Sequence, residues 1–434
     1  MTTSASAGEV LTGDDELYDE LYDVRREAEE VGNYIDVDPY PLMNAAREQG
    51  AVQEGFLRQI LGLPAFHRQK GALERQGFTC FTFEACDQAF RDNVNYSNNL
   101  YSLDRPSGDG PKPYGILEMD NPEHHAFRRA VQSLFIKPKA QKWWRENFID
   151  ALVDDLVRAL HGQDRAELNL QLCARVPVHT ITRAVGLRGE DALVFRNALL
   201  QTSANKGGIE TQMKAHATVQ RMLMEQIELR HQEPGTDIIS WLLAAEIDPP
   251  GEERRHLTDQ EVVVFARLIL LAGGGTTWRQ LGIVLLALLT NPDQYHAARE
   301  DRKLIDAAIE ESLRWNPTNP LFTRLAAADT EFHGVFIPKG SILDICLGAA
   351  NRDPARWDNP EVFDLHRPFQ QHLGTGIGAH MCLGRFVAHV EMGVTINRLF
   401  DEFPNLRLDK DFEEPFVTGG LEQRGVSALH VRLQ

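Results

Sequence analysis

Cys382 differs from Cys80, Cys86, Cys173 and Cys346 in its surroundings. It lies in GTGIGAHMCLGRF, behind Gly374, Gly376 and Gly378, and Gly384 follows it where an apolar-periodic segment begins. Glycines on both sides let backbone amides approach a sulfur, and the N-terminus of a helix starting near Gly384 adds partial positive charge. Both effects favour a thiolate, and a thiolate held this way can ligate iron. A dinucleotide loop is the competing reading of the glycines, but DLHRPFQQ ahead of them is no strand and the Gly-x-Gly-x-x-Gly spacing breaks at Met381. A cysteine acting only as a small buried apolar residue is the other alternative.

The second chemically suggestive stretch is LLAGGGTTWRQLG, residues 270 to 282. It interrupts an apolar helical pattern from Glu261 to Thr290 that ends at Asn291-Pro292, where proline cannot continue the ladder. Each interior glycine costs about 1 kcal/mol relative to alanine. No Lys-Ser/Thr follows and no strand precedes, which excludes a phosphate loop. Arg267 and Arg279 bracket an uncharged run far shorter than the roughly 20 residues of a membrane span. What remains is a buried helix opened locally, so that a ligand can approach and a freed carbonyl can bond water or a threonine hydroxyl.

These residues must be positioned by a mainly α protein with small β-sheets. Segments of 3.6-residue period run from 142 to 160, 190 to 200, 209 to 231 and 385 to 400, and short alternating runs at 324 to 337, 342 to 346 and 426 to 433 read as strands. Residues 93 to 121 and the SANKGG turn at 203 to 208 read as loops. Among the 434 residues, 43% are hydrophobic and no linker or repeat divides the chain. Residues 1 to 30 read as a polar and acidic N-terminal extension and 31 to 434 as a single catalytic domain. In the extension Leu17, Leu21, Val24 and Ala28 mark an amphipathic helix, expected to be a solvated surface element. A net charge of -18 disfavours nucleic acid and anionic membrane as partners. The odd cysteine count without a CxxC pair and the absence of a basic, apolar leader lead to the expectation of a cytoplasmic protein.

The segment around Cys382 resembles the cysteine-ligand loop of the cytochrome P450 superfamily, Phe-x-x-Gly-x-x-x-Cys-x-Gly with a histidine two before the cysteine in many bacterial members. Gly378, His380, Cys382 and Gly384 match, and Thr375 stands where the family has Phe. Further matches follow in family order. Glu311 and Arg314 of IEESLRW, with Arg367 of FDLHRPF, are similar to the Glu-x-x-Arg pair and its third member; alone, a Glu and Arg at that spacing is a routine surface pair. Arg324 and the ANRDP run at 350 to 354 resemble the family's sheet and following turn, and His124 and Arg128 its His-x-x-x-Arg. AGGGTT is similar to the oxygen groove Ala/Gly-Gly-x-Asp/Glu-Thr-Thr.

The resemblance implies a soluble bacterial-type haem-thiolate monooxygenase. Haem b would be buried between the long central helix and the cysteine-ligand loop, with Cys382 as the iron ligand. His124, Arg128, Arg324 and His380 would bind its two propionates through charge-assisted hydrogen bonds. Ala272 and Gly273 would open space over the iron, Thr276 would be the alcohol beside the oxygen, and Thr277 would complete the catalytic pair. Gly378 and Gly384 would shape the ligand loop, and Glu311, Arg314 and Arg367 would be structural. The expected reaction inserts one oxygen atom of O2 into a C-H bond of a mostly apolar small molecule. With no flavin or iron-sulfur module in the chain, a ferredoxin and its reductase would supply electrons, docking on the basic run Arg128, Arg129, Lys137, Lys139, Lys142 and Arg145. A solvated surface is the competing account of that run. Residues 93 to 115, the segment around Ser203 and residues 317 to 323 would rim the substrate pocket.

Two positions depart from the pattern. Gly275 replaces the acid that relays protons, leaving three routes open: water at the opened helix, which is preferred, another side chain reaching in, or oxygen activation from peroxide or through a polar substrate. Arg279, one turn on, could share the face of Gly275, or simply pair with a carboxylate. Thr375 replaces the Phe that shields the sulfur. A peroxide-using or otherwise atypical haem-thiolate enzyme and a haem sensor or carrier are the rival functions; the oxygen groove speaks against the second.

Overall fold

The computed structural model describes residues 15–100, 115–203 and 208–434. At its centre is the apolar helix Asp259–Thr290. A capping box starts it: Thr258 Oγ1 accepts from the Glu261 N–H at 3.3 Å and the Glu261 carboxylate accepts from the Thr258 N–H at 2.7 Å. Asn291-Pro292 ends it as the sequence predicts. By length and composition this helix could cross a membrane. It instead lies in the main core, with Leu281 to Leu288 buried. Helices Arg175–Ala184, Leu304–Trp315 and Arg385–Glu402 pack on it.

The main sheet has five strands, β1 (Val52–Glu54), β2 (Gly77–Cys80), β3 (Tyr96–Ser97), β4 (Phe322–Ala326) and β5 (Ile342–Ile345), in the order β1-β2-β5-β4-β3. β5 runs parallel to β2, with Ile345 opposite Cys80, and antiparallel to β4, with Leu343 opposite Arg324. Arg324 is thereby fixed on a strand whose next neighbour, β3, lies inside the stretch that reads as a loop in sequence. β3 is two residues long, too short to show alternation, and exists because Tyr96 and Ser97 pair with Ala326 and Leu325. The strands expected near 324 to 337 resolve into three pieces, Phe322–Ala326, Thr330–Phe332 and Val335–Ile337, followed by the Pro338-Lys339-Gly340 turn with Gly340 at φ +85°.

Two expectations change. The segment expected as one helix from 142 begins with a π-wound stretch, Ala140–Ile149, before α-helix Asp150–Arg158. Its wider turn brings residues five apart into one column, and the rings of Trp143 and Phe148 meet at 5.0 Å. The acidic extension is also no solvated appendage. Its helices Asp15–Leu21 and Val24–Val31 bury Tyr18, Val24 and Ala28, and Tyr18 and Val24 join the main core cluster. Tyr22 meets the Trp278 ring of the central helix at 5.2 Å. The polar composition hides this because the apolar contacts come from two short helices with a break at Tyr22-Asp23.

Glu311, Arg314 and Arg367 form the expected triad. Arg314 donates bidentately to the Glu311 carboxylate at 2.7 and 2.8 Å, Arg367 Nε donates to Glu311 Oε1 at 3.0 Å, and both arginines also donate to the Val362 carbonyl. The triad is nearly solvent-free and ties Leu304–Trp315 to the chain that runs toward the cysteine loop. Glu311→Ala leaves two buried guanidiniums without their carboxylate and is expected to lower the unfolding free energy by about 3–5 kcal/mol in urea titrations.

Glu391, on Arg385–Glu402, is buried beside Thr180, and its Oε1 has no hydrogen-bond partner. Burial pushes its carboxyl up to about 8. The folded chain thus keeps a proton that the unfolded chain releases near its ordinary value, 4.5. That contribution is fully present below the unfolded value and is lost as pH rises toward the folded one. Glu391→Gln should remove a fall of about 3 kcal/mol in stability between about pH 5 and 7.5, measured by denaturant unfolding across that range.

Candidate active site

The cysteine loop is a set of tight turns. The Thr375 carbonyl accepts from the Cys382 N–H at 2.9 Å and the Gly378 carbonyl from the Met381 N–H at 3.2 Å. Gly376 and Gly378 have φ of +67° and +77°, the left-handed region that disfavours a side chain. A Cβ on Gly378 would also lie 2.9 Å from the Phe90 carbonyl oxygen, so the loop lies close against helix Phe83–Arg91. Gly384 caps helix Arg385–Glu402, and the backbone N–H groups of Gly384 and Arg385 face the Cys382 sulfur. Arg128 and Arg385 add positive charge near it.

Burial nonetheless outweighs these groups and raises the Cys382 thiol above its ordinary value. This corrects the expectation of a thiolate from backbone geometry alone; the amides and arginines reduce the penalty, and a cation on the sulfur would reverse it. By surface area Cys382 is the exposed cysteine while the other four are buried. Cys382 is therefore open to a ligand while densely surrounded by protein.

Four basic residues from three separate segments of the chain gather near this thiol. The His124 and His380 rings lie 3.8 Å apart at 30°. Arg128 Nη2 donates to the Met381 carbonyl at 2.6 Å, one residue from the cysteine. Arg324 is buried on β4, over the Phe90 ring at 5.2 Å, with Nη1 donating to the Thr323 carbonyl. Burial, then the neighbouring positive groups, holds His124 down to about 4 and His380 down to about 2. Both imidazoles are therefore neutral near pH 7. Burial also lowers Arg324 to about 10, against the attraction of Asp120. His124 Nε2 is buried with no partner.

Asp120 gave no signal in sequence. Its carboxylate accepts from Ser97 Oγ and from the Asn98 N–H at 2.9 Å, and its charge acts on both His124 and Arg324. Only the pairing of β3 with β4 brings it there.

On the central helix, the expected local opening is not found: the backbone remains helical through the three glycines. Extra donors reach its carbonyls instead. Thr276 Oγ1 donates to the Ala272 carbonyl at 3.1 Å, and Arg279 donates to the Gly275 carbonyl. Ala272 is exposed and Thr276 half-buried, so these two border the groove. Gly273 has a different reason to be glycine, since an added Cβ would strike Ile181 Cδ1 of helix Arg175–Ala184. Thr277 is turned into the core. Of the two threonines, Thr276 is the one placed to touch a ligand.

A helical body with small sheets, an exposed cysteine just ahead of a helix and buried basic groups around it fit a haem-thiolate protein. The chain belongs to the cytochrome P450 family: the Cytochrome P450 family model matches residues 192–420. It is 32% identical over 322 residues to cytochrome P450 107B1 of Saccharopolyspora erythraea, covering 73% of this chain and 76% of that protein. It is 32% identical over 302 residues to the steroid C26-monooxygenase of Mycobacterium tuberculosis, covering 68% and 79%. The crystal structure of CYP109E1 from Bacillus megaterium in complex with corticosterone shares the fold, with TM-score 0.78, 24% identity and coverage of 93% and 99%. The protein is thus an oxidoreductase that incorporates molecular oxygen, and its cofactor is haem b. The donor set fits that group: a sulfur faced by two amides for the iron, and beside it an orphaned imidazole and two guanidiniums for its carboxylates.

The basic run does not stay together as one face. Arg128 turns to the cysteine loop, Lys139 lies over the Trp241 ring at 4.0 Å, and Arg145 pairs with Asp150 at 3.1 Å. Arg129, Lys137, Lys142 and Arg145 remain exposed. Of the expected pocket rim, residues 101–114 and 204–207 lie outside the described residues, and Phe322 is exposed against Phe90.

Thr375 is half-buried and its carbonyl holds the Cys382 N–H. Replacing its hydroxyl with a ring alters packing and polarity at the residue whose carbonyl accepts from the Cys382 N–H. Thr375→Phe is expected to move the haem reduction potential by on the order of tens of millivolts in spectroelectrochemical titration; an unchanged potential would reduce Thr375 to packing.

Proposed function

We propose that the chain hydroxylates an apolar small molecule of roughly steroid size, with Cys382 as the iron ligand and Thr276 as the hydroxyl that orders water in the groove. The observation that carries this reading is an exposed cysteine faced by the N–H groups of Gly384 and Arg385. His124, Arg128, Arg324 and His380 bind the haem carboxylates and orient the ring. When bound, haem supplies the oxygen cleavage and C-H oxidation, which the protein directs by position and by control of water and protons. The exposed Phe322 and the exposed Ala272 offer apolar contact to a substrate, and the name of the steroid C26-monooxygenase supports the size class.

Electrons come from a separate acidic ferredoxin in this reading, in the cytoplasm. Of the expected basic run, the exposed Arg129, Lys137 and Lys142 supply its positive contacts, whereas Arg145 is paired with Asp150. Arg129 shares the helix Glu123–Gln132 with Arg128, which bonds the residue next to the ligand cysteine. That shared helix supports a docking contact linked to the cysteine loop.

The reduced, carbon-monoxide-bound protein should show the red-shifted Soret band of a thiolate ligand. Cys382→Ser should lose that band while retaining the fold by circular dichroism. A haem-loaded, folded protein without the band would refute the ligand assignment. Turnover with peroxide but none with ferredoxin and reductase would instead identify the peroxide-using alternative raised by Gly275.

A further inference from the structure

Hydroxylation by dioxygen takes two electrons and two protons for each oxygen atom inserted, the second oxygen leaving as water. The protons must come from solvent, yet Gly275 brings no side chain to the helix that borders the oxygen groove. The chain fills that place from elsewhere. Arg279, one turn beyond Gly275, is 3% exposed; one of its nitrogens donates to the Gly275 carbonyl, another pairs with the Glu27 carboxylate, and its Nε has no partner. Glu27 belongs to helix Val24–Val31 of the N-terminal extension.

These groups line a cavity of about 190 Å³ between the extension and the central helix. Its wall includes Gly274 and Gly275, Trp278 and Arg279, and its outer part carries Glu20, Arg26 and Glu30. The volume accommodates several waters, and the charged lining supplies their hydrogen bonds. The Glu27 side chain is about a third exposed, at 36%, whereas that of Arg279 is 4% exposed. One carboxylate therefore spans the outer solvent and the interior. The hairpin Val417–Gly419/Arg424–Val426 closes the arrangement, and Gly425 lets it approach: an added Cβ there would lie 2.9 Å from Val24 and 3.0 Å from Arg279.

We propose that Glu27, positioned by Arg279, is the acid that feeds protons through this cavity to the groove at Ala272 and Thr276, in place of an acid at position 275. The Glu27 carboxylate takes a proton from bulk solvent on its exposed side, passes it to cavity water, and returns to the carboxylate paired with Arg279. The water carries the proton past Gly274 and Gly275, where no side chain blocks it. The residue is unchanged over a cycle, and each proton delivered is matched by one taken up.

The test follows dioxygen consumption by the haem-loaded protein supplied with electrons by a ferredoxin and its reductase, in H2O and D2O. Wild type is compared with Glu27→Gln and Glu27→Gln/Gly275→Asp, each first shown to carry the thiolate band, so that failure of the ligand assignment is separately visible. Glu27→Gln is expected to slow dioxygen consumption about tenfold and to raise the solvent isotope ratio. Gly275→Asp should restore most of the rate: the nearest outside atom to a Cβ at 275 is Gln423 Nε2 at 4.0 Å, so an aspartate fits beside Arg279. Hydrogen exchange over residues 15–31 and the thermal midpoint supply a readout independent of turnover, and both should stay near wild type in Glu27→Gln. An unchanged rate and isotope ratio in Glu27→Gln overturns the proposal. So does a loss that Gly275→Asp leaves in place, or one accompanied by raised exchange across the extension, either of which makes Glu27 a structural tie.

Discussion

Burying positive charge beside a thiol is the constraint around which this structure is arranged. Arg324 and His124 are almost solvent-free, Arg128 and His380 are close by, and Asp120 is the carboxylate whose charge acts on His124 and Arg324. Unpaired buried charge is expensive. Each imidazole responds by staying neutral, and the guanidiniums are held by backbone carbonyls. A dianionic, flat cofactor with a cationic metal satisfies the cluster and the sulfur together, which is why the two are built against one another.

The rest of the fold keeps that juxtaposition in place. Arg324 sits on a strand held between two neighbours, and β3 brings Asp120 to it. The cysteine loop is gripped by Gly378 lying against Phe90, and helix Arg385–Glu402 directs two amides to the sulfur. The Glu311 triad steadies the chain leading to the loop through five carbonyls as well as its ion pairs, those of Asn351, Asp358, Asn359, Pro360 and Val362. Because Glu311, Arg314, Arg324 and Asn351 are buried, removing any of their partners leaves another group unsatisfied.

The central helix shows how one local weakness is compensated. Three glycines in succession would weaken an isolated helix, but the ladder is intact here. Ile181 packs where a Gly273 side chain would be, and Thr276 and Arg279 donate to carbonyls on either side. Gly274 and Gly275 line the cavity against the N-terminal helices without breaking the central helix.

Short-range rules were enough for much of this protein. The long helices and their stops, the left-handed glycines, the Glu311–Arg314 pair one turn apart and the cysteine ahead of a helix are set by neighbours in sequence, so they are legible there and carry the family resemblance. The triad's third member, Arg367, and the basic residues His124, Arg128 and Arg324 were nameable only because the motifs recur in order. What tertiary structure alone decided are contacts between segments with no common periodicity. The two-residue strand β3, the role of Asp120, the burial of Thr277, the reason for Gly273 and the reach of Glu27 to Arg279 across 252 positions all arise where distant elements meet. Periodicity tells which face of a helix is apolar, but a single carboxylate on a short acidic helix acquires its partner only when the whole chain has packed.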